Sequence, residues 1–121
     1  MFAVIRRYNT HENSAHKIEQ RVREGFVPLI SRIPGFVSYD VVRSTDGTML
    51  SVSIFETRQA ADDSSRLASD WVHDNLASLI RTAPVILSGD VIVHHVPPAG
   101  TPGARPRAAG DRAVESTSSP T

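Results

Sequence analysis

The side chains best suited to chemistry are concentrated on one short segment of the chain, with one more on an earlier segment. Trp71 and Asn75 are four residues apart, so an indole and an amide share one face if this segment is helical. His73 lies between them, and Tyr39 adds a phenol from the earlier segment. Asn75, Tyr39 and His73 can each hydrogen-bond to an organic anion and orient it, although none stands out as a strong general base.

These side chains also have purely structural interpretations. Trp71 can be a core anchor, because large aromatic side chains on a helical stripe usually serve to bury apolar area. Asn75 can bond to the backbone of a neighbouring loop or to a second subunit, since a buried amide without partners costs roughly 1–3 kcal/mol. Tyr39 can simply pack as a strand aromatic.

A cationic residue can complete such a site. Arg6 and Arg7 are adjacent in a predicted strand, so their side chains project to opposite faces. The arginine that faces inward can neutralise an acidic ligand or pair with Asp40. Our predicted substrate-binding residues are Trp71, Asn75, Phe26 and Arg7.

The five histidines do not suggest a metal site. His94 and His95 are adjacent in a predicted strand, so they cannot both bind one ion. His11 and His16 flank the start of the first predicted helix without a pattern that supplies a third ligand. The chain has no cysteine, which excludes disulfides and thiolate-bound metals. We therefore predict no metal site.

The composition excludes several classes of partner. Among 121 residues, 13 Lys and Arg balance 13 Asp and Glu, and the basic residues are scattered. This distribution offers no electrostatic footprint for nucleic acid or for an anionic membrane. The first residues fit neither a signal peptide nor a membrane span, which favours a cytoplasmic protein.

The order of the predicted elements specifies a fold. Strand, helix, strand, strand, helix and strand follow one another across residues 2–96. This order predicts an α+β, ferredoxin-like βαββαβ domain, with a four-stranded antiparallel sheet and two helices on one face. Residues 97–121 are rich in Pro, Ala, Gly, Ser and Thr, and we predict that they form a disordered tail.

Residues that break helices or form turns refine this prediction. Gly25 and Pro28 interrupt the first helical stripe, so we expect a break near residues 24–28. Asp46 and Gly47 indicate a hairpin. The second helix is predicted at 57–80 and the last strand at 85–96, and the buried side of that helix is predicted to carry Ala60, Ser64, Leu67, Ala68, Trp71, Asn75, Leu76 and Leu79.

The two faces of the central hairpin differ in polarity. The more apolar set is predicted to face the helices and comprises Val37, Tyr39, Val41, Leu50, Val52 and Ile54. The alternate set is mixed rather than charged and comprises Phe36, Ser38, Asp40, Val42, Met49, Ser51, Ser53 and Phe55. A mixed face indicates that it too is covered, most simply by a second copy of the protein, so we predict a homodimer.

Four segments resemble a known family. Residues 34–43 (PGFVSYDVVR) and 53–61 (SIFETRQAA) resemble the Pro-Gly-Phe strand and the strand-to-helix junction of the antibiotic biosynthesis monooxygenase-like family. Residues 25–31 (GFVPLIS) and 70–77 (DWVHDNLA) are similar to small bacterial members without an assigned reaction. The resemblance covers residues 2–96.

This resemblance implies a dimeric α+β barrel whose pockets lie between helices and sheet. It implies a monooxygenase-like protein that needs no cofactor and binds a small aromatic or apolar compound between the second helix and the sheet. In that role Asn75, Tyr39 and His73 are the candidate catalytic residues. The alternative is a dimeric ligand-binding or accessory module without catalysis.

A weaker alternative is a haem-binding or haem-degrading protein. The haem-degrading branch of the family pairs an Asn of the first strand with a Trp and an axial His from the region of the second helix. This chain has Trp71, but Arg6, Arg7 and Tyr8 stand where that Asn is expected. His73 lies roughly 200° around a helix from Trp71.

Overall fold

Four antiparallel strands form one sheet in the computed structural model, which describes residues 1–98. The strands are β1 (Phe2–Tyr8), β2 (Phe36–Arg43), β3 (Met49–Phe55) and β4 (Val85–Asp90), in the spatial order β2-β3-β1-β4. The helices are α1 (Ala15–Arg21), α2 (Val27–Ile30) and α3 (Arg58–Asn75), with a π-helical turn at Val22–Phe26 and a 3₁₀ turn at Ala77–Leu79. The predicted α+β, ferredoxin-like order of elements is confirmed.

The last strand is shorter than predicted. It was expected over residues 85–96 but ends at Asp90, which pairs with Phe2 at the very start of β1. Beyond that pair β1 has no further strand residues to offer as hydrogen-bond partners. Met1–Val91 form one compact unit, and residues 92–98 contain no helix or strand. The predicted disordered tail lies outside the described residues from residue 99 onward.

The first helical segment breaks where Pro28 requires it. Pro28 has no amide hydrogen and its ring crowds the preceding turn. The chain responds with the π-helical turn, in which the Val27 amide donates to the Val22 carbonyl, before α2 resumes. The predicted break near residues 24–28 is confirmed.

Local signals define the hairpin and the start of α3. Gly47 adopts a φ of +92°, a conformation that favours glycine, and the Ser44 amide donates to the Thr48 carbonyl at 2.8 Å. Thr57 caps α3, since its hydroxyl accepts a hydrogen bond from the Ala60 amide at 3.1 Å. Small residues on the buried side of α3 bring the helix close to the sheet; they include Ala60, Ala61, Ser64 and Ala68.

The sheet has an inner face covered by helices and an outer face that no described element covers. On β3 the buried residues are Met49, Ser51, Ser53 and Phe55, and the intervening Leu50, Val52 and Ile54 are only half-buried. The prediction that the more apolar set of β3 faces the helices is therefore wrong. Register explains the result, because buried Val4 and Arg6 of β1 pair with Ser53 and Ser51.

A bulge separates the two ends of β2. The pairing of β2 with β3 shifts between Phe36 and Ser38, so Val37 has no direct partner. After the bulge Tyr39 pairs with Ser53 and Val41 with Ser51, which places both on the inner face as predicted.

Candidate functional site

A small cavity lies between the helices and the inner face of the sheet. The space open to the centre of a water molecule is about 40 Å³. Aliphatic side chains line part of it, and its aromatic and polar lining residues are Arg6, Tyr8, Thr10, Phe26, Tyr39, Ser51 and Trp71. We call this space the central cavity.

Three of the candidate residues meet at the central cavity as an aromatic cluster. Phe26 lies between Tyr39 and Trp71, with ring centroids 5.5 Å and 5.3 Å away and the rings tilted by 60° and 47°. Tilted rings at these distances are a favourable aromatic arrangement. Gly25 makes room for the indole, because a Cβ at this position would lie 3.0 Å from Trp71 Cζ2. One wall of the cavity is therefore aromatic, and its residues come from the first helical segment, β2 and α3.

The most unusual polar group in the cavity is the guanidinium of Arg6. Its residue is only 4% exposed, and its Nη2 atom has no hydrogen-bond partner among residues 1–98. Neither Asp nor Glu is found among the lining residues of the central cavity. Asp40, the predicted pairing partner, is exposed and pairs with Val52 on the outer face. The cavity therefore carries an uncompensated positive charge.

Two phenols accompany this charge. Burial raises the pKa of Tyr39 well above its ordinary value, and the nearby Tyr8 raises it further, whereas Arg6 opposes the rise. Burial also raises the pKa of Tyr8, again against Arg6. Both phenols consequently keep their protons at neutral pH and can donate hydrogen bonds to a ligand.

The structure places Arg6, and not the predicted Arg7, at the cavity. Arg7 is exposed on the outer face, where it pairs with Leu50 of β3. Alternation explains the difference, because Val4, Arg6 and Tyr8 share one face of β1. Arg6 replaces Arg7 as the candidate cationic residue, and the parity of β1 around buried Val4 was the signal that could have identified it.

Asn75 lies outside the central cavity, contrary to its predicted burial. Its side-chain Nδ2 donates to the Trp71 backbone carbonyl at 2.9 Å. Its backbone carbonyl accepts a hydrogen bond from the Arg21 guanidinium at 2.7 Å. α3 ends at Asn75, and Leu76 has already left helical backbone geometry with φ −123° and ψ 2°, so the helical stripe does not extend through this turn. Leu76 takes the inward position and lines the cavity instead.

His73 is also outside the central cavity. It is exposed, and its Nδ1 lies 3.3 Å from Oδ1 of Asp74. It lines a separate, more open groove of about 360 Å³ beside α3 and β4, which we call the α3–β4 groove. The two spaces share Arg6, Tyr8, Ala68, Val72 and Ile80 as lining residues.

The described residues supply few groups for acid–base or metal chemistry. No histidine is among those that line the central cavity. Within residues 1–98 no three His, Cys, Asp or Glu side chains lie close enough together to hold a metal ion. What the cavity can do is hold an aromatic ring between apolar walls and hydrogen-bond to an oxygen atom on that ring.

The first part of the chain matches a known protein family. A model of the family described as "Antibiotic biosynthesis monooxygenase" matches residues 1–69. No curated protein matches the sequence significantly. In the described part of the chain, no helix has the length and apolar character needed to cross a membrane.

Solved structures share the fold at low sequence identity. A protein of unknown function from Nitrosomonas europaea is similar with a TM-score of 0.68 and 14% identity, over 79% of this chain and 93% of that one. A monooxygenase from the gene ActVA-Orf6 of Streptomyces coelicolor, in complex with Nanaomycin D, has a TM-score of 0.65 and 22% identity, over 79% and 91%. A mutant of MhuD with two manganese protoporphyrin IX molecules per active site has a TM-score of 0.65 and 15% identity, over 80% and 100%.

Proposed function

The chain belongs to the antibiotic biosynthesis monooxygenase family, and on that premise we propose that it binds a small aromatic compound in the central cavity and oxidises it without a prosthetic group. One observation carries this proposal: a cavity with an aromatic wall also holds polar groups that can hydrogen-bond to a ligand oxygen. Such a combination is typical of sites for small ligands.

The proposed reaction consumes a phenol and dioxygen. The carbon opposite the phenol oxygen exchanges its hydrogen for one atom of dioxygen, so that the ring becomes a quinone. The second oxygen atom leaves as water with that hydrogen and the phenol proton. Trp71 and Phe26 hold the ring, and the Tyr39 phenol hydrogen-bonds to its oxygen as the candidate catalytic group. Asn75 and His73 have no place in this proposal because they lie outside the cavity.

The size of the cavity limits how a ligand can fit. The space open to the centre of a water molecule is only about 40 Å³ in the central cavity, which is small for a polycyclic ligand. The α3–β4 groove is larger and shares five lining residues with the central cavity. We infer that a ligand occupies both spaces after Ala68 or Val72 of α3 moves slightly.

A second copy of the chain is the proposed partner of the outer face. This face exposes apolar side chains, among them Ile5 of β1, Val42 of β2, and Val85 and Leu87 of β4. Apolar patches of this kind mark association surfaces. Each protomer then keeps its own central cavity, on the side of the sheet away from its partner.

Oxygen consumption tests the proposed reaction directly. The full-length protein is mixed with anthrone, whose enol tautomer is a phenol with a hydrogen opposite its oxygen, in an oxygen electrode without haem, flavin or metal. We expect one dioxygen consumed per anthraquinone formed, and a tenfold or larger fall in kcat for Tyr39→Phe, in line with the 10²–10⁴-fold typical of positioned acid–base groups. Tyr8→Phe is the matched control that compares the two phenols. Turnover that requires added flavin or haem contradicts the proposal.

A ligand-binding module without catalysis is the second candidate. It is favoured by the lining of the central cavity, in which no Asp, Glu or His is found to remove a proton. In this case anthrone and related rings quench the fluorescence of Trp71, the only tryptophan, but no oxygen is consumed.

Haem does not fit the central cavity as it is built. No histidine is available among the residues that line it. His73 lines the α3–β4 groove, but it is exposed beside Asp74 and does not line the central cavity, so we assign no step to haem.

A further inference from the structure

The buried guanidinium of Arg6 has a property that the proposed oxidation does not explain. Its residue is 4% exposed, yet Nη2 has no hydrogen-bond partner in the described residues. An arginine cannot lose its proton inside a protein, so this group stays charged. Burial of an unpaired charge is among the most expensive features that a small domain can retain.

The residues around Arg6 offer no counter-ion. The central cavity has no Asp or Glu in its lining, and neither does the α3–β4 groove. Asp40 faces the opposite side of the sheet. Tyr8 and Tyr39 stay neutral because burial raises the pKa of both phenols. Nothing within reach in residues 1–98 neutralises the guanidinium.

Arg6 also has a position from which it can meet a ligand. It lines both the central cavity and the α3–β4 groove, which together form the space assigned to the ligand. The surrounding walls are largely apolar and include Trp71, Val72 and Ile80. An apolar body with one negatively charged oxygen matches this environment, because charged hydrogen bonds strengthen where water is excluded.

We propose that Arg6 determines the specificity of the site and that the ligand is an aromatic compound already ionised at neutral pH, with a carboxylate or acidic phenolate oxygen against the Arg6 guanidinium. This proposal rests on the proposed function only in placing the ligand in the central cavity and the α3–β4 groove. It makes Arg6 a binding residue, whether or not the bound compound is then oxidised.

Paired probes that differ in charge test the proposal on the full-length protein. 2-Naphthoate is compared with the neutral 2-naphthamide, and 2-hydroxy-1,4-naphthoquinone with the neutral 2-methoxy-1,4-naphthoquinone. Binding is followed by isothermal titration calorimetry and by quenching of Trp71 fluorescence. The two pairs distinguish a carboxylate from an acidic phenol as the source of the charge. We expect the wild-type protein to favour at least one anion over its neutral partner by roughly 10- to 100-fold.

Two neighbouring arginines supply the variants. Arg6→Met removes the charge at similar length, Arg6→Lys keeps the charge without the guanidinium fork, and Arg7→Met is the matched change on the outer face. Arg6→Met is expected to abolish the preference for the anion and to bind the neutral partner within about threefold of wild type. Arg6→Lys retains part of the preference, and Arg7→Met retains all of it.

Stability separates a binding role from a structural one. Because Arg6 is buried without a partner, Arg6→Met is expected to leave Tm unchanged or to raise it. A fall in Tm together with equal loss of both probes would show that Arg6 supports the fold and would overturn the proposal. Should Arg6→Met lower Tm so far that it does not fold, the wild-type preference and the Arg6→Lys variant decide the matter.

The outcomes also separate this proposal from the proposed function. Equal binding of charged and neutral probes by the wild-type protein overturns the role of Arg6 and leaves an aromatic site intact. Binding of neither probe overturns both. Selective binding of an anion by a protein that consumes no oxygen with anthrone supports the role of Arg6 and rejects the oxidation.

Discussion

The two faces of the sheet differ in polarity from what their covering predicts. A covered face is expected to be apolar and an uncovered face polar. The inner face lies under the helices and yet carries Arg6, Ser51 and Ser53, all less than a tenth exposed. The outer face has no covering element among the described residues and yet exposes Ile5 and Leu87. Polar groups on a covered face indicate a site, and apolar groups on an uncovered face indicate a partner.

The two faces of the same strands therefore have different roles: the inner face lines the cavity and the outer face is available to a partner. Neighbouring residues of β1 serve different purposes, since Arg6 lines the cavity while Ile5 and Arg7 face away. Side-chain alternation makes such a division possible within a few residues. It also means that adjacent substitutions provide sharp comparisons.

The largest expected difference is in stability, between adjacent residues of β3. Phe55 is fully buried on the inner face and lies edge-on to Phe36, whereas Ile54 is half-buried on the outer face. Phe55→Ala is expected to lower the free energy of unfolding by about 3–5 kcal/mol, because it leaves a cavity in the core. Ile54→Ala should cost less than half as much. Urea unfolding at one fixed protein concentration measures both values, and equal losses would contradict the assignment of the two faces.

The next difference concerns association, between adjacent residues of β4. Leu87→Asp places a charge on the outer face, at the position paired with Ile5, and is expected to weaken the proposed dimer at least roughly 100-fold. Ile86→Asp is the matched control, because Ile86 is similarly exposed, at 53% against 64%, but lies beside the α3–β4 groove. Sedimentation equilibrium reports the dissociation constants. A wild-type monomer, or an Ile86→Asp variant that dissociates equally, would argue against a second copy on the outer face.

The smallest expected difference is in alkaline stability and comes from the inner face alone. The pKa of Tyr39 is raised in the folded state, so the unfolded chain loses its phenol proton first as the pH rises. Stability should therefore be constant below the ordinary phenol pKa of about 10 and should fall above it, by up to about 1.4 kcal/mol per pH unit. Tyr39→Phe and Tyr8→Phe should each reduce this fall, because the pKa of both phenols is raised, and Tyr39→Phe should reduce it more. Thermal unfolding between pH 8 and 11 measures the slopes, and an unchanged slope in Tyr39→Phe would refute the explanation.

The fold was accessible from the sequence because its signals are local. Pro28 predicts the break in the first helical segment, and Gly47 predicts the hairpin, since each residue restricts its own backbone. The orientation of β3 was not accessible in this way. Apolar Leu50, Val52 and Ile54 belong to the outer face, and hydrophobicity alone does not distinguish a face for the core from a face for a partner.

The candidate site was accessible only in part. Trp71, Phe26 and Tyr39 belong to apolar stripes, and the structure brings them together. Asn75 was wrongly placed at the site because helical periodicity was extended to the last residue of α3, and Arg7 was chosen over Arg6 through an error of one residue in strand parity. Both errors amount to one position along the chain. Side-chain periodicity alone does not place a residue more precisely than that.

The π-helical turn at Val22–Phe26 has a consequence for the shape of the cavity wall. Ile18, Val22, Phe26 and Ile30 follow one another at intervals of four and are all buried. On an uninterrupted α-helix each interval turns about 400°, so that Ile30 would lie about 120° around the axis from Ile18. A turn with i→i+5 bonds takes more residues and absorbs part of this rotation. The four side chains therefore lie closer to one line than an uninterrupted helix would allow, and Ile18, Val22 and Phe26 line the central cavity from a single helical segment.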